Sequence, residues 1–209
     1  MLKEQDMKKI LDRLETEYPD AACALTYKDL YQLLVKVTLS AQTTDISVNG
    51  ISSELFEKYP DAYAMAEAET GELEHILRPV GMYRTKAKNI TAQAAVLRDV
   101  FGGKVPDDYE SLVSLPGVGR KTANVVLSVG FGHQRIAVDT HVFRVANRMG
   151  LVNEKTVFGT EKALMKAVPE ERWTATHHSL VFHGRNCCHA RNPECGACVI
   201  NDLCMKRGV

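Results

Sequence analysis

The chain has 209 residues, with 26 Lys and Arg against 26 Asp and Glu, 45% apolar residues and 25% charged residues. This length supports one domain or two small ones, and this composition excludes collagen-like, disordered and disulfide-scaffold classes. Zero net charge gives no general basic excess, but residues 1–80 hold 8 basic and 15 acidic side chains whereas residues 81–209 hold 18 and 11. The second part therefore carries its own positive field, suited to polyanions.

The chain opens with MLKEQDMKKILDRLETEY, charged throughout. Neither a secretory signal nor an Arg-rich transit peptide has that character. Apolar residues then recur at spacings of three and four: Met7, Ile10, Leu11, Leu14; Leu30, Leu33, Leu34, Val37; Val48, Ile51, Leu55; Ile90, Ala94, Leu97, Phe101. These are the buried faces of amphipathic helices, and strict alternation is nearly absent, so the chain is expected to be all-α with roughly ten helices. Breaks fall at Tyr59-Pro60-Asp61, Gly71, Pro79 to Gly81, Gly102-Gly103, Pro116 to Gly119, Gly130 to Gly132, Gly150 and Pro169, where helices should stop. The most apolar stretch, Ala123 to Val129, contains Asn124 and Ser128 and is too short to span a bilayer. The expectation is a cytoplasmic protein with reduced thiols and no membrane partner.

The most informative stretch is Ser114-Leu115-Pro116-Gly117-Val118-Gly119-Arg120-Lys121-Thr122-Ala123-Asn124. Pro116 ends a short helix around Tyr109 to Val113, Gly117 and Gly119 permit positive φ in a tight turn, and a second helix follows. The hairpin's backbone N–H groups make a site for one phosphate. A plain interhelical turn would not explain an Arg-Lys pair opening a helix, where the dipole disfavours cations. Arg120 and Lys121 are therefore read as functional, with Lys121 able to attack an electrophilic sugar carbon. Asp139, in Ala137-Val138-Asp139-Thr140-His141, is either an assisting carboxylate or the N-cap of the next helix, and the sequence divides evenly between these.

Five of the six cysteines lie between Cys187 and Cys204. Cys188, Cys195, Cys198 and Cys204 are separated by six, two and five residues. Only Cys195 and Cys198 form a Cys-x-x-Cys knuckle, whereas four-cysteine zinc sites usually pair two such knuckles, so a compact [4Fe–4S] loop is favoured over zinc. Neighbouring residues point in different directions, which makes Cys187 a spare thiol. Cys23, far away, is read as a small buried residue.

Taken together, LPGVGRKTAN, IAVDTHVFRVANR, HGRNC with the four-cysteine loop, LSAQTTD at 39–45 and PVGMYRTKAKNI at 79–90 resemble the endonuclease III family of DNA base-excision glycosylases. The resemblance covers nearly the whole chain. It implies a two-domain helix-hairpin-helix glycosylase fold: a six-helix domain over residues 22–132, and a discontinuous cluster domain of residues 1–21 plus 133–209, with damaged double-stranded DNA taken in the cleft between them. It implies Lys121 as nucleophile and Asp139 as catalytic carboxylate, removal of oxidised pyrimidines, and strand cleavage 3′ to the abasic site by β-elimination through a Lys121 Schiff base. Cys188, Cys195, Cys198 and Cys204 would ligate the [4Fe–4S] cluster.

By the same resemblance Gln42 fills the gap left by a flipped nucleotide, and Met82, where leucine is commoner, enters the base stack. Gly117, Gly119 and Arg120 of the hairpin, together with Arg84, Lys86, Arg185 and Arg191, would contact DNA, and Lys206 and Arg207 flank the cysteine loop. Each has a plainer reading as surface charge or turn residue. Asn186 departs from the aromatic residue of the usual HGRY-x-C pattern. Trp173 is assigned to the core. A monomer in a prokaryotic cytoplasm, associated with the nucleoid, fits single-lesion repair. The rivals are an adenine glycosylase, which lacks lysine at the position of Lys121, a mismatch glycosylase of the same superfamily, a catalytically silent DNA binder, and a cluster-based electron carrier.

Overall fold

A computed structural model of the protein describes residues 2–209, and among these residues the fold is entirely helical. Contacts gather into two units: residues up to Ala22 with Gln134–Val209, and Cys23–His133. No helix among the described residues is long and apolar enough to cross a membrane.

The Cys23–His133 unit is built around α2 (Leu30–Leu39). Asp29 caps it by accepting from the Gln32 amide at 2.8 Å. Eight of its ten residues are buried, so it is a central helix with apolar character all round rather than one stripe. After α3 (Asp45–Gly50), α4 (Ser52–Lys58), α5 (Ala62–Ala66) and α6 (Thr70–Ile76) comes the 19-residue α7 (Tyr83–Phe101). The short α8 (Tyr109–Ser114) and α9 (Arg120–Phe131) complete the unit, with α9 and α7 both packed on α2. Eight helical segments therefore stand where six were implied. Part of the excess is the Ile51 break, at which α3 and α4 share one αR cap residue, and α5 is a bare five residues.

One predicted stop falls inside a helix and one falls at a helix end. Gly71 lies within α6, and α9 runs through Gly130 to end at the left-handed Gly132. A Cβ on Gly130 would sit 2.7 Å from Leu30 Cδ2 and 2.9 Å from Leu33 Cδ2. Gly130 thus sets how closely α9 approaches α2, and it is a packing residue rather than a terminator.

Polar side chains within this apolar unit give their N–H groups to backbone carbonyls and hydroxyls, as burial requires. Gln93, fully buried on α7, donates to Thr38 Oγ1 of α2 at 3.1 Å and to the Pro116 carbonyl at 3.3 Å. Lys36 on α2 donates to the Thr26 carbonyl and hydroxyl, and Asn49 then fixes Thr26 N and the Ala24 carbonyl. Burial holds the Lys36 ammonium below the usual lysine range.

The other unit joins α1 (Glu4–Glu17) to α10 (Thr140–Met149), α11 (Val157–Ala167), a 3₁₀ turn at Glu170–Arg172 and α12 (Trp173–Asn186). Ile10, Leu11 and Leu14 of α1 pack with Val142, Val145, Ala146 and Met149 of α10, Leu180 of α12 and Ile200 of the cysteine loop. The Ile136-Ala137-Val138 triplet, undecided from sequence, is an irregular segment buried in or beside this core. Trp173 packs against the same core and donates to the Val168 carbonyl at 2.9 Å, in line with its assignment from sequence.

Gln93→Leu retains much of the volume but leaves the Thr38 hydroxyl and the Pro116 carbonyl without their buried donor. Its expected cost is about 1–3 kcal/mol. Urea denaturation followed by circular dichroism measures this, and a midpoint equal to the wild type would show that the bond is dispensable.

Candidate functional site

The hairpin is assembled by its neighbours as much as by its own sequence. Leu115 turns extended after α8, Val118 N–H donates back to the Leu115 carbonyl at 3.1 Å, and Gly119 is the N-cap of α9. Gly117 alone has positive φ, at 78°; Gly119 is extended at φ −94° and ψ 177°. The expectation that both glycines supply positive φ is therefore corrected. A Cβ on Gly117 would lie 3.0 Å from Asn89 Cβ and 3.2 Å from Thr38 Cγ2, whereas one on Gly119 would meet nothing within 4 Å. Gly117 is required by strain and by packing on α7 and α2. Gly119 leaves open space in front of the first N–H groups of α9, which have no carbonyl four residues back to pair with.

Arg120 and Lys121 open α9, both exposed. The Arg120 guanidinium lies 5.3 Å from the Tyr109 ring centroid and donates to Tyr109 Oη at 3.1 Å. Cys23 lies within electrostatic reach of Asp45, Lys121 and Lys36, and burial pushes its thiol up.

Asp139 is the N-cap of α10: its Oδ1 accepts from the Val142 amide at 2.8 Å. The N-cap reading is thus realised. It engages one carboxylate oxygen, and an ionised carboxylate has two.

Gln42 and Met82, forty residues apart, share one place within the Cys23–His133 unit. Both are exposed and both have left-handed backbones, with φ 52° and 56°. Gly81 brings their loops together, since its Cβ position lies 3.4 Å from the Gln42 carbonyl and from Thr43 Oγ1. Lys86 is placed otherwise than expected. Its side chain is 4% exposed and its Nζ donates to Thr43 Oγ1 at 2.7 Å, so it holds the Gln42 loop to α7 rather than facing solvent. Burial lowers its pKa accordingly. Arg84 is exposed, 5.0 Å from the Tyr83 ring centroid and 3.7 Å from a Glu74 oxygen. Arg185 and Arg191 are exposed, one near the end of α12 and one in the cysteine loop.

Cys188, Cys195, Cys198 and Cys204 all line one small pocket, walled by Met149, Pro193 and Ile200. None is in a disulfide. Nitrogen groups face three of these sulfurs: Arg148 Nη1 at 3.7 Å from Cys188, the Lys206 amide at 3.4 Å from Cys204, and His183 Nε2 at 3.6 Å from Cys198. Four soft donors around an apolar pocket, with N–H groups aimed at sulfur, fit an iron–sulfur cluster. Burial lowers the pKa of His183 to about 4, leaving a neutral ring whose Nδ1 lies 3.1 Å from Tyr18 Oη.

α10 grips this loop. Arg144 donates to the carbonyls of Gly184 and Cys188 at 2.8 and 3.0 Å, and Arg148 to those of His189 and Ala190 at 2.5 and 2.9 Å. Neither arginine was singled out from sequence. Their spacing of one helical turn was the available signal, as was the polar Gln93 between Ile90 and Ala94 on an apolar face.

Cys187 does not point away from the cluster pocket. It lines the pocket with the other four, and its Sγ, Cys198 Sγ and a His183 ring nitrogen all lie within 4.8 Å of one another. The cause is local: the Cys187 and Cys188 amides both donate to the His183 carbonyl, at 3.0 and 2.7 Å, so the chain wraps the end of α12 instead of extending. Burial, then Cys198, pushes the Cys187 thiol upward.

Residues 35–170 match the HhH-GPD superfamily of base excision DNA repair proteins, and residues 188–204 match the iron–sulfur binding domain of endonuclease III. Endonuclease III of Bacillus subtilis (strain 168) is 45% identical over 209 residues, covering 99% of this chain and 94% of that protein. The solved structure of a trapped endonuclease III–DNA covalent intermediate, an estranged-adenine complex, is similar with a TM-score of 0.94 at 45% identity, covering 99% of this chain and 97% of that one. A thermostable thymine-DNA glycosylase, 24% identical, shares the fold with a TM-score of 0.84 over 96% of this chain and 95% of its own.

Gly117→Ala is expected to lower stability by about 1–2 kcal/mol from backbone strain alone, with the Asn89 contact adding to it. Gly119→Ala should stay within about 0.5 kcal/mol of wild type. Parallel thermal melts compare them, and equal losses would overturn this division of roles.

Proposed function

Because this chain belongs to the endonuclease III family of HhH-GPD base excision DNA repair proteins, we propose that Lys121 is its nucleophile and Asp139 its catalytic carboxylate. The protein is a bifunctional DNA glycosylase and AP lyase of base excision repair, and its cofactor is a [4Fe–4S] cluster. The observation that carries the residue assignment is an exposed lysine in the first turn of a helix whose glycine N-cap leaves the space before it open.

The substrate class is double-stranded DNA containing oxidised pyrimidines. A damaged base leaves the stack at a cost of a few kcal/mol, smaller than for an intact pair. Lys121 Nζ attacks C1′, a C–N bond forms, and the base departs with the glycosidic electrons. Asp139 stabilises the positive charge developing on the sugar and accepts the proton released by the amine. The sugar ring then opens at the C1′–O4′ bond, O4′ taking up a proton, and the resulting Schiff base makes the C2′ proton acidic. Its removal expels the 3′ phosphate by β-elimination, so one lysine serves both steps, and water could not because it forms no imine.

Gly117, Gly119 and the first N–H groups of α9 hold one phosphate, with Arg120 beside them. Gln42 occupies the place of the flipped nucleotide, its amide both donating and accepting, and Met82 wedges the stack from the adjoining turn. Arg84, Arg185 and Arg191 meet the backbone. Lys86 acts indirectly, by fixing the Gln42 loop. Cys188, Cys195, Cys198 and Cys204 would hold the cluster, which when bound supplies a rigid cross-link and a redox-active centre. The two compact units correspond to a helix-hairpin-helix domain and a cluster domain. The enzyme works as a monomer in a prokaryotic cytoplasm, at the nucleoid.

Borohydride trapping on duplex DNA with one abasic site tests the imine. The wild type should give a covalent band on a denaturing gel, and Lys121→Ala none. A protein that binds the duplex without giving a band would be a monofunctional glycosylase or a silent binder. Asp139→Asn keeps an equivalent N-cap, so the fold should persist while turnover falls by about 10²–10⁴-fold. Wild-type turnover in this variant would leave Asp139 with only its capping role.

A further inference from the structure

The pocket of four cysteines contains a fifth sulfur. Cys187 Sγ shares the pocket wall with Cys188, Cys195, Cys198 and Cys204, and it lies within 4.8 Å of Cys198 Sγ. The thiol also makes a long hydrogen bond to the Glu194 carbonyl at 3.7 Å. Cys198 is a ligand position within its reach, and a cysteine has a single side-chain torsion before sulfur, so few staggered wells separate the two placements. The loop backbone is meanwhile pinned by Arg144 and Arg148, so an exchange of sulfurs there needs no change in the carbonyls they hold.

We propose that Cys187 is a stand-by ligand that takes the coordination place of Cys198 when the Cys198 bond opens. The inference rests on the assignment of Cys188, Cys195, Cys198 and Cys204 as resident ligands. In the exchange the Cys198 S–Fe bond breaks and a Cys187 S–Fe bond forms. The proton leaving the Cys187 thiol passes to the Cys198 thiolate. Charge and oxidation state are unchanged, and no co-reactant is consumed. His183 Nε2, 3.6 Å from Cys198 Sγ and oriented by Tyr18, faces the displaced sulfur. The exchange would let the protein retain iron through a transient bond opening that otherwise starts cluster loss.

The test uses the full chain in five forms: wild type, Cys187→Ser, Cys198→Ala, Cys204→Ala and Cys187→Ser/Cys198→Ala. Each is checked for helical content by circular dichroism and then assayed for iron and acid-labile sulfide per chain. Cys198→Ala should keep close to wild-type iron with an altered visible absorption spectrum, while Cys204→Ala and the double variant lose most of theirs. Folded Cys198→Ala as iron-poor as the double variant would overturn the proposal, as would a double variant that keeps its iron. Iron retained by Cys204→Ala would instead sink the underlying ligand assignment. If Cys198→Ala does not fold, release of iron to a chelator from the holoprotein decides the matter. Cys187→Ser should lose iron faster than wild type, on the order of tenfold, the scale on which supporting groups change metal retention. Equal rates would leave Cys187 a bystander.

Discussion

The grip of α10 on the cysteine loop is the constraint on which its unit depends. Seventeen residues from Cys188 to Cys204 contain no regular helix or strand, and an irregular segment must find partners for its carbonyls or stay in water. Arg144 and Arg148, one turn apart on one face of α10, supply donors to three of those carbonyls, at Cys188, His189 and Ala190, and to that of Gly184 at the end of α12. Arginine suits this task because its planar group carries five donors in fixed directions. The same helix is capped by Asp139 and anchored in the core by Val142, Val145 and Met149. One rigid element therefore carries Asp139 at its start and the cysteine loop along its flank.

The Cys23–His133 unit solves a related problem differently. Its functional positions lie on turns, and each turn is tied to a central helix by a buried polar side chain. Gln93 fixes the hairpin through Pro116, Lys86 fixes the Gln42 loop through Thr43, and Lys36 fixes the segment entering the unit through Thr26. Burying an amide or an ammonium is costly unless its donors are used. Here they are used on backbone carbonyls and hydroxyls of the turns, which converts that cost into fixed loop geometry. The ion pairs are a weaker resource: Arg13 with Asp202 and Lys58 with Glu72 are substantially exposed, where such pairs contribute little.

Much of this was legible beforehand. Apolar spacing identified the faces of α1, α2 and α7, and the Pro-Gly-x-Gly stretch located the hairpin and its lysine. The four-cysteine spacing located the cofactor loop. The structure altered the reading where side chains meet across sequence distance. Lys86 looked like a surface cation in a basic run, but Thr43 drew it inward. The stop expected over Gly130 to Gly132 falls at Gly132, while Gly130 is a contact for Leu30 and Leu33. Gly119 needs no positive φ. Cys187 looked turned away from its neighbour, but the wrapped end of α12 brings both sulfurs to one pocket.

The sequence by itself determined the helical class, the family, the lysine's place at a helix start and the chemical kind of the cofactor, because these depend on local spacing and on residue type. Only the tertiary structure decided which charges are buried, which glycines are strained and which of the sulfurs share a wall. Those properties depend on distances between residues far apart in the chain, and no local pattern encodes them.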